Sequence, residues 1–209
     1  MSVTGTFITL EGGEGVGKST QIALLAEALR AQGKRVVTTR EPGGTEGAEA
    51  IRGLLMTGSV DRWNAPTEAL LFAAARADHV AKLIRPALAR GDWVLCDRFI
   101  DSTRAYQGGA GGMDDADIMA LHRVGSGGLL PHRTLVLEIP VEEGARRAAA
   151  RAGDAPDRMG SKDAAYYDHV AARFRALAAQ EPERFRLIAA DGAREHVVAR
   201  LLAALDDLL

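Results

Sequence analysis

Gly12-Gly13-Glu14-Gly15-Val16-Gly17-Lys18-Ser19 is the stretch on which the fold turns. The short apolar run Phe7–Leu10 precedes it. Lys18–Ala31 follows, with Ile22, Leu25, Ala26 and Leu29 at helical spacing until Gly33 stops the pattern. A strand, a glycine-rich turn and an amphipathic helix in that order place the turn at a helix N-terminus. Glycines let successive backbone N–H groups converge on one anion without side-chain clash. The helix adds its partial positive charge at the same point. Lys18 brings a full charge, and Ser19 a hydroxyl suited to Mg²⁺. The string fits GxxxxGK[ST], so Gly12 through Ser19 together with Thr20 are expected to cradle the phosphates of a nucleoside triphosphate.

Working outward, short apolar runs alternate with longer helical patterns. Strands are expected at Phe7–Leu10, Arg35–Thr39, Trp93–Cys96, Arg133–Ile139 and Phe185–Ala189. Helices are expected at Lys18–Ala31, Thr45–Met56, Pro66–Arg90, Asp114–Val124, Val141–Arg151, Lys162–Gln180 and Arg194–Leu209. Strands separated by helices need crossover connections, which predicts an α/β fold with a five-stranded parallel sheet covered on both faces. Ligands of such sheets bind beyond the carboxyl ends of the strands. Three polar clusters fall there: Glu11–Thr20, Arg40–Thr45 and Asp97–Gln107.

The bulk numbers suit one domain spanning 1–209. The chain has 209 residues, 47% hydrophobic and 26% charged, and a formal net charge of -2. That balance disfavours nucleic acid as the main partner, since binding its backbone calls for a basic excess. Cys96 is the single cysteine, so no disulfide forms within the chain. The opening Met-Ser-Val-Thr-Gly-Thr lacks a signal pattern, and no apolar stretch is long enough for a membrane span. A cytoplasmic protein with no membrane partner is expected. The five histidines show no zinc-ligand spacing.

A phosphate loop alone does not name a reaction. A nucleotide switch would need a guanine-reading NKxD segment, but Asn64 is the only asparagine and Ala65 follows it. The third strand ends in Asp97-Arg98, an acid beside a base. An acceptor that is itself a phosphate must approach an anionic donor, and two anions in one pocket repel by several kcal/mol unless cations intervene. Arg98, Lys18 and Mg²⁺ meet that need. Asp97 is left to hold Arg98 or a metal-bound water.

Three further segments carry a resemblance. Asp97-Arg98-Phe99-Ile100-Asp101-Ser102-Thr103-Arg104-Ala105-Tyr106-Gln107 resembles the Asp-Arg-x-x-x-Ser-x-x-Ala-Tyr-Gln signature of thymidylate kinases. Arg40-Glu41-Pro42-Gly43-Gly44-Thr45 is similar to that family's Arg-Glu-Pro-Gly-Gly-Thr loop, and Leu71-Phe72-Ala73-Ala74-Ala75-Arg76 to its Leu-Phe-x-Ala-x-Arg helix. With the phosphate loop, four motifs stand in family order and spacing. The resemblance implies a P-loop nucleoside monophosphate kinase-like fold with a short lid at about 146–160, transfer of phosphate from ATP to dTMP with Mg²⁺, and a homodimer built through helices near Ala65–Arg90. Another nucleoside monophosphate or deoxynucleoside kinase of the same fold is the alternative.

The resemblance also implies roles. Phe72 stacks on thymine, and Arg76 bonds its carbonyl edge; positions four apart share a helix face. Arg98 binds the acceptor phosphate, assisted by Arg40 or Arg52. Glu14 meets the sugar 3′-hydroxyl, Tyr106 excludes a ribose hydroxyl, and Gln107 positions Tyr106 or the base. Ser102 and Thr103 lie near the base edge, or else cap a turn. Ser19 and Asp97 serve the metal, and Glu41 touches either the metal shell or the loop. One branch of the family places an arginine in the phosphate loop where this chain has Gly15. The chain resembles the bacterial branch that draws a catalytic arginine from the lid instead. Arg146, Arg147, Arg151 and Arg158 are candidates. Arg151, just before Gly153, is favoured, and Arg146 and Arg147 read as a solvated helix face.

Overall fold

The computed structural model describes residues 5–140, 142–144, 146–147 and 164–209. Five parallel strands form one sheet: β1 (Phe7–Gly12), β2 (Val36–Arg40), β3 (Trp93–Asp97), β4 (Arg133–Glu138) and β5 (Phe185–Ala189), in the order β2-β3-β1-β4-β5. β1 is buried at every position, Thr9 and Glu11 included, as befits a central strand of a parallel sheet. β2, at one edge, has exposed positions.

Register brings the polar segments together. Leu10 and Arg40 both pair with Asp97 of β3. Beyond that level the strand ends are stitched by Glu41 N to Asp97 O (2.9 Å) and Arg98 N to Leu10 O (3.0 Å). All three expected polar clusters therefore leave the sheet at the carboxyl ends of its strands, around the central β1.

Helix α1 (Lys18–Ala31) packs Ile22, Leu25 and Leu29 against Leu10, Leu135 and Leu137 on one face of the sheet. α2 (Glu46–Met56) is capped by Thr45, whose hydroxyl accepts from Ala48 N. The helix expected at Pro66–Arg90 is composite. α3 (Ala65–His79) runs into a wide π turn (Val80–Ile84) and then α4 (Arg85–Ala89). Pro86 has no N–H for the carbonyl four residues back, so the ladder loosens just before it.

The segment Asp97–Gln107 departs from its sequence expectation as a polar stretch. It is helical: α5 (Ile100–Thr103) continues as π helix over Arg104–Ala110. Its hydroxyl residues and the Gly108-Gly109 pair that follows give little helical signal; buried charge holds it instead. Asp101, with no exposed surface, accepts from Arg184 Nη1 (2.6 Å) and Nη2 (3.0 Å), from Arg104 Nη1 (3.2 Å) and from Thr134 Oγ1 (2.9 Å). Burial acts to raise its pKa, but the Arg184 hydrogen bonds hold the carboxyl below the ordinary range. The bundle is completed by α6 (Asp115–Ser126), α7 (Ala164–Gln180) and α8 (Arg194–Ala203). α8 is shorter than its expected reach to Leu209. Residues 142–144 and 146–147 are helical, and the rest of the helix expected at 141–151 lies outside the described residues. Among the described residues, no helix is long and apolar enough to cross a membrane.

Candidate active site

The phosphate loop opens α1 without a competing acid. Gly17 caps the helix in the left-handed region (φ 94°), no side chain satisfies the cap, and the first turn has no carboxylate. The N–H groups there are left facing the cleft, which suits an anion. Lys18 Nζ curls back onto the Gly12 and Gly13 carbonyls (3.2 and 2.7 Å). Burial, aided by the nearby charge of Arg98, lowers its pKa to about 8. Phosphate oxygens entering the loop would exchange weak carbonyl partners for full counter-charge.

Ser19 Oγ donates to Asp97 Oδ2 (2.8 Å) across the gap between α1 and β3. A hydroxyl and a carboxylate are hard oxygen donors of the kind Mg²⁺ takes, with its remaining positions filled by water and phosphate oxygens. Among the described residues, no group of three or more His, Cys, Asp or Glu forms a self-sufficient metal cage. The pair fits a cation that arrives with a nucleotide. Asp97 thus faces the loop hydroxyl rather than Arg98. Thr20, the next residue of α1, is exposed and stands apart from the cavity lining. Val16 turns its side chain into the core, so only its backbone is left to serve the loop.

Arg98 is the residue on which both halves of the cleft meet. Its φ of 69° is the one positive value among described non-glycine residues, a conformation that costs on the order of 1 kcal/mol or more and marks functional positions. The Cys96 thiol and the Leu10 carbonyl hold its backbone. Its guanidinium donates to Gly12 O (3.0 Å), Ser102 Oγ (3.2 Å) and Glu14 Oε1 (2.6 Å), and lies over the Tyr106 ring. Glu14, half-exposed, is thereby aimed across the cleft mouth. Tyr106 is buried, and burial lifts its phenol to about 12 against the opposing charge of Arg98.

Glu11 was not singled out from sequence. It ends an apolar strand, where a lone acid has no visible partner. In the fold it is fully buried, accepting from Phe99 N (2.7 Å) and Ser102 Oγ (2.5 Å). It latches the phosphate-loop strand to the start of α5. Burial, then repulsion from Asp101, raises its pKa from 4.5 to about 8. A carboxyl raised in the folded state stabilises fully below its unfolded value, and that contribution is lost as pH rises through the folded one. Between 4.5 and about 8, the melting temperature of the ligand-free protein is therefore expected to fall relative to that of Glu11→Gln. Parallel melting curves for the two proteins across this window would refute the latch as a protonated group.

The far end of the cavity is lined by Phe72, Arg76, Thr103, Gln107, Met56 and Pro42. Phe72 and Arg76 of α3 do face the same space. Arg76 is buried and doubly anchored, its Nε to Glu41 Oε2 (2.7 Å) and Nη2 to Thr103 Oγ1 (3.1 Å). Thr103 therefore orients Arg76 rather than capping a turn, and Ser102 joins Glu11 to Arg98. Gln107 Nε2 donates to the buried Glu68 (2.9 Å), which aims its amide into the cavity. Glu41, left between metal shell and loop from sequence, does something else: it clasps Arg76 and His79. Glu68, His79, Met56 and Pro42 were not expected; each carries meaning only through a neighbour distant in sequence.

Arg40 is not brought to the site. It is exposed, pairs with Glu49 (3.0 Å), and is absent from the cavity wall, because it ends an edge strand facing solvent. Arg52 is on the wall, donating to Pro42 O (2.8 Å). Arg146 and Arg147 both bond Glu143. Arg151, Arg158 and the rest of the expected lid lie outside the described residues. Gly15 shows why the loop carries no side chain there. Its φ is 73°, and a Cβ would stand 2.0 Å from the Gly144 carbonyl oxygen. An arginine in that slot would drive the 142–144 backbone off the loop.

Comparison with known proteins gives one consistent result. Residues 10–201 match the family model described as thymidylate kinase. The thymidylate kinase of Rhizorhabdus wittichii is 61% identical over 205 residues, spanning 98% of this chain and 99% of that protein. That of Caulobacter vibrioides is 51% identical over 94% of each chain. The crystal structure of thymidylate kinase from Ehrlichia chaffeensis superposes with a TM-score of 0.78 at 32% identity, covering 97% of this chain and 99% of the other.

Proposed function

The chain belongs to the thymidylate kinase family and phosphorylates dTMP, and we propose that it does so with ATP as donor and Mg²⁺ as cofactor. The observation that most supports a two-nucleotide site is Arg98. It touches the phosphate loop through Gly12 and Glu14 and the acceptor wall through Ser102, where an incoming monophosphate must meet the terminal phosphate of the donor.

An oxygen of the dTMP phosphate attacks the terminal phosphorus of ATP, and the bond to the bridging oxygen breaks, leaving ADP with the electron pair. The nucleophile is already ionised near neutral pH, so no general base is required. Catalysis is positioning plus charge stabilisation. The loop N–H groups and Lys18 hold the donor phosphates, and Arg98 holds the acceptor phosphate, with Arg52 rather than Arg40 beside it. Mg²⁺, when bound at Ser19 and Asp97, would offset negative charge on the donor. Phe72 and Arg76 take the base, Gln107 borders it, Tyr106 closes on the sugar where a 2′-hydroxyl would sit, and Glu14 meets the 3′-hydroxyl. A lid at about 146–160 completes a kinase made of the whole chain, cytoplasmic in location. The homodimer is part of the proposal: exposed Leu54, Leu70 and Val124 on α2, α3 and α6 support it, and sedimentation in solution decides it.

The deciding experiment is a substrate panel on the intact protein. kcat/KM for dTMP is expected to exceed that for dCMP, dGMP and the ribose form of TMP by about 10²-fold or more, as expected where buried polar groups of the site lose their partners with the wrong ligand. Equal values would overturn the roles given to Phe72, Arg76 and Tyr106.

A further inference from the structure

Arg76 is only as selective as its orientation is fixed, and the group that fixes it lies behind the cavity wall. Glu41 binds the Arg76 Nε through Oε2 alone (2.7 Å). A carboxylate held at one oxygen can still turn about its terminal torsion, which is broad and soft. Its other oxygen, Oε1, is taken by His79 Nδ1 (3.0 Å). An ionised carboxylate only accepts, so Nδ1 carries the proton. His79 Nε2 meets the Thr39 hydroxyl of β2 (2.7 Å). The ring is completely buried and is not part of the cavity wall. Gly44 closes over it: a Cβ there would lie 2.6 Å from Nε2 and 2.5 Å from Thr39 Oγ1. The loop 41–45 is thus seated on the C-terminal turns of α3, where Arg76 and His79, three residues apart, share a face.

We propose that His79 is a positioning residue for base selection: by pinning the second oxygen of Glu41 it fixes the plane in which Arg76 offers its remaining N–H groups to the acceptor base. The chain Thr39–His79–Glu41–Arg76–Thr103 holds the guanidinium from both sides, with the Phe99 ring beneath it (5.2 Å). The chemistry selected is a carbonyl at the base edge. A guanidinium donor meets an acceptor oxygen there, whereas an amino group in that place presents donor to donor. This inference rests on the reading of Arg76 as the base-contacting residue.

Amide replacements separate the two ring nitrogens. The amide N–H of His79→Asn falls near Nδ1 and keeps the bond to Glu41. That of His79→Gln falls near Nε2, keeps the Thr39 contact and leaves Oε1 of Glu41 unpaired. In His79→Gln the ratio of kcat/KM for dTMP over dCMP is expected to fall about tenfold through a higher KM for dTMP, with the KM for ATP unchanged; a buried acceptor left unpaired is worth about that factor. His79→Asn is expected to stay within about threefold of the native ratio. Equal losses in both variants, or an unchanged ratio in His79→Gln, overturn the proposal. If His79→Gln does not fold, Thr39→Val, which removes the hydroxyl from Nε2 at constant volume, carries the test: a smaller fall in the same ratio is expected, and no fall overturns it. Arg76→Ala separates the underlying reading. Discrimination that survives Arg76→Ala overturns base contact by Arg76; discrimination lost there but intact in His79→Gln overturns only the role of His79.

Discussion

Arg98→Ala is expected to lower kcat/KM for dTMP by about 10³-fold while leaving the KM for ATP within a few-fold, the size of loss seen when one preorganised charge-stabilising donor is removed. Two unit charges about 4 Å apart repel by about 4 kcal/mol at the effective dielectric of a protein cleft, and the acceptor phosphate must come that close to the donor. Arg98 is the cation proposed to stand between them, bonded at once to the phosphate loop and to Ser102. Its removal also leaves Glu14 without the guanidinium that neutralises it, so an anion would then face two anions. Arg98→Lys is expected to recover little. The guanidinium makes three directed contacts from two nitrogens, and an ammonium is a single point charge. Burial works against the charged form of Arg98, but Tyr106 and the surrounding carboxylates outweigh it and raise its pKa further, so this cation does not titrate away in an assay. Steady-state kinetics with both substrates varied is the measurement. A loss below tenfold would remove Arg98 from the reaction centre.

Arg151→Ala is expected to lower kcat by about 10³-fold or more, with the dissociation constant for dTMP almost unchanged, as for an arginine that meets only the charge developing on the transferred group. In the proposed arrangement Lys18 and Arg98 attend the two ground-state phosphates, but a phosphoryl group in flight spreads charge over its equatorial oxygens and calls for a further cation. The phosphate loop has no room to provide it, because any side chain at position 15 meets the Gly144 carbonyl. Arg146 and Arg147 are occupied by Glu143. Arg151 is the proposed source, and Gly15→Arg in the Arg151→Ala background is not expected to restore turnover. Single-turnover rates with equilibrium binding of dTMP measure both quantities. Unchanged turnover in Arg151→Ala would eliminate it.

The amino-acid sequence by itself determined the parallel α/β class, the phosphate loop and the family. Each rests on local patterns: the phosphate loop is written within Phe7–Ala31, the family in the further short segments Arg40–Thr45, Leu71–Arg76 and Asp97–Gln107, and the class in the alternation of short apolar runs with helical ones. It also placed Phe72 and Arg76 on one helix face, because periodicity is a local property. Only the tertiary structure decided partnerships. Asp97 turned to Ser19 and not to Arg98, because parallel register sets the end of β3 beside the start of α1. Arg40 fell outside the cavity because β2 is an edge strand, a fact of strand order that no window of sequence encodes. Glu11, Glu41 and His79 gained their roles from neighbours 35 to 91 residues away. A buried polar group must be satisfied wherever the chain happens to pass, so its meaning is read from the packed core and not from the residues on either side of it.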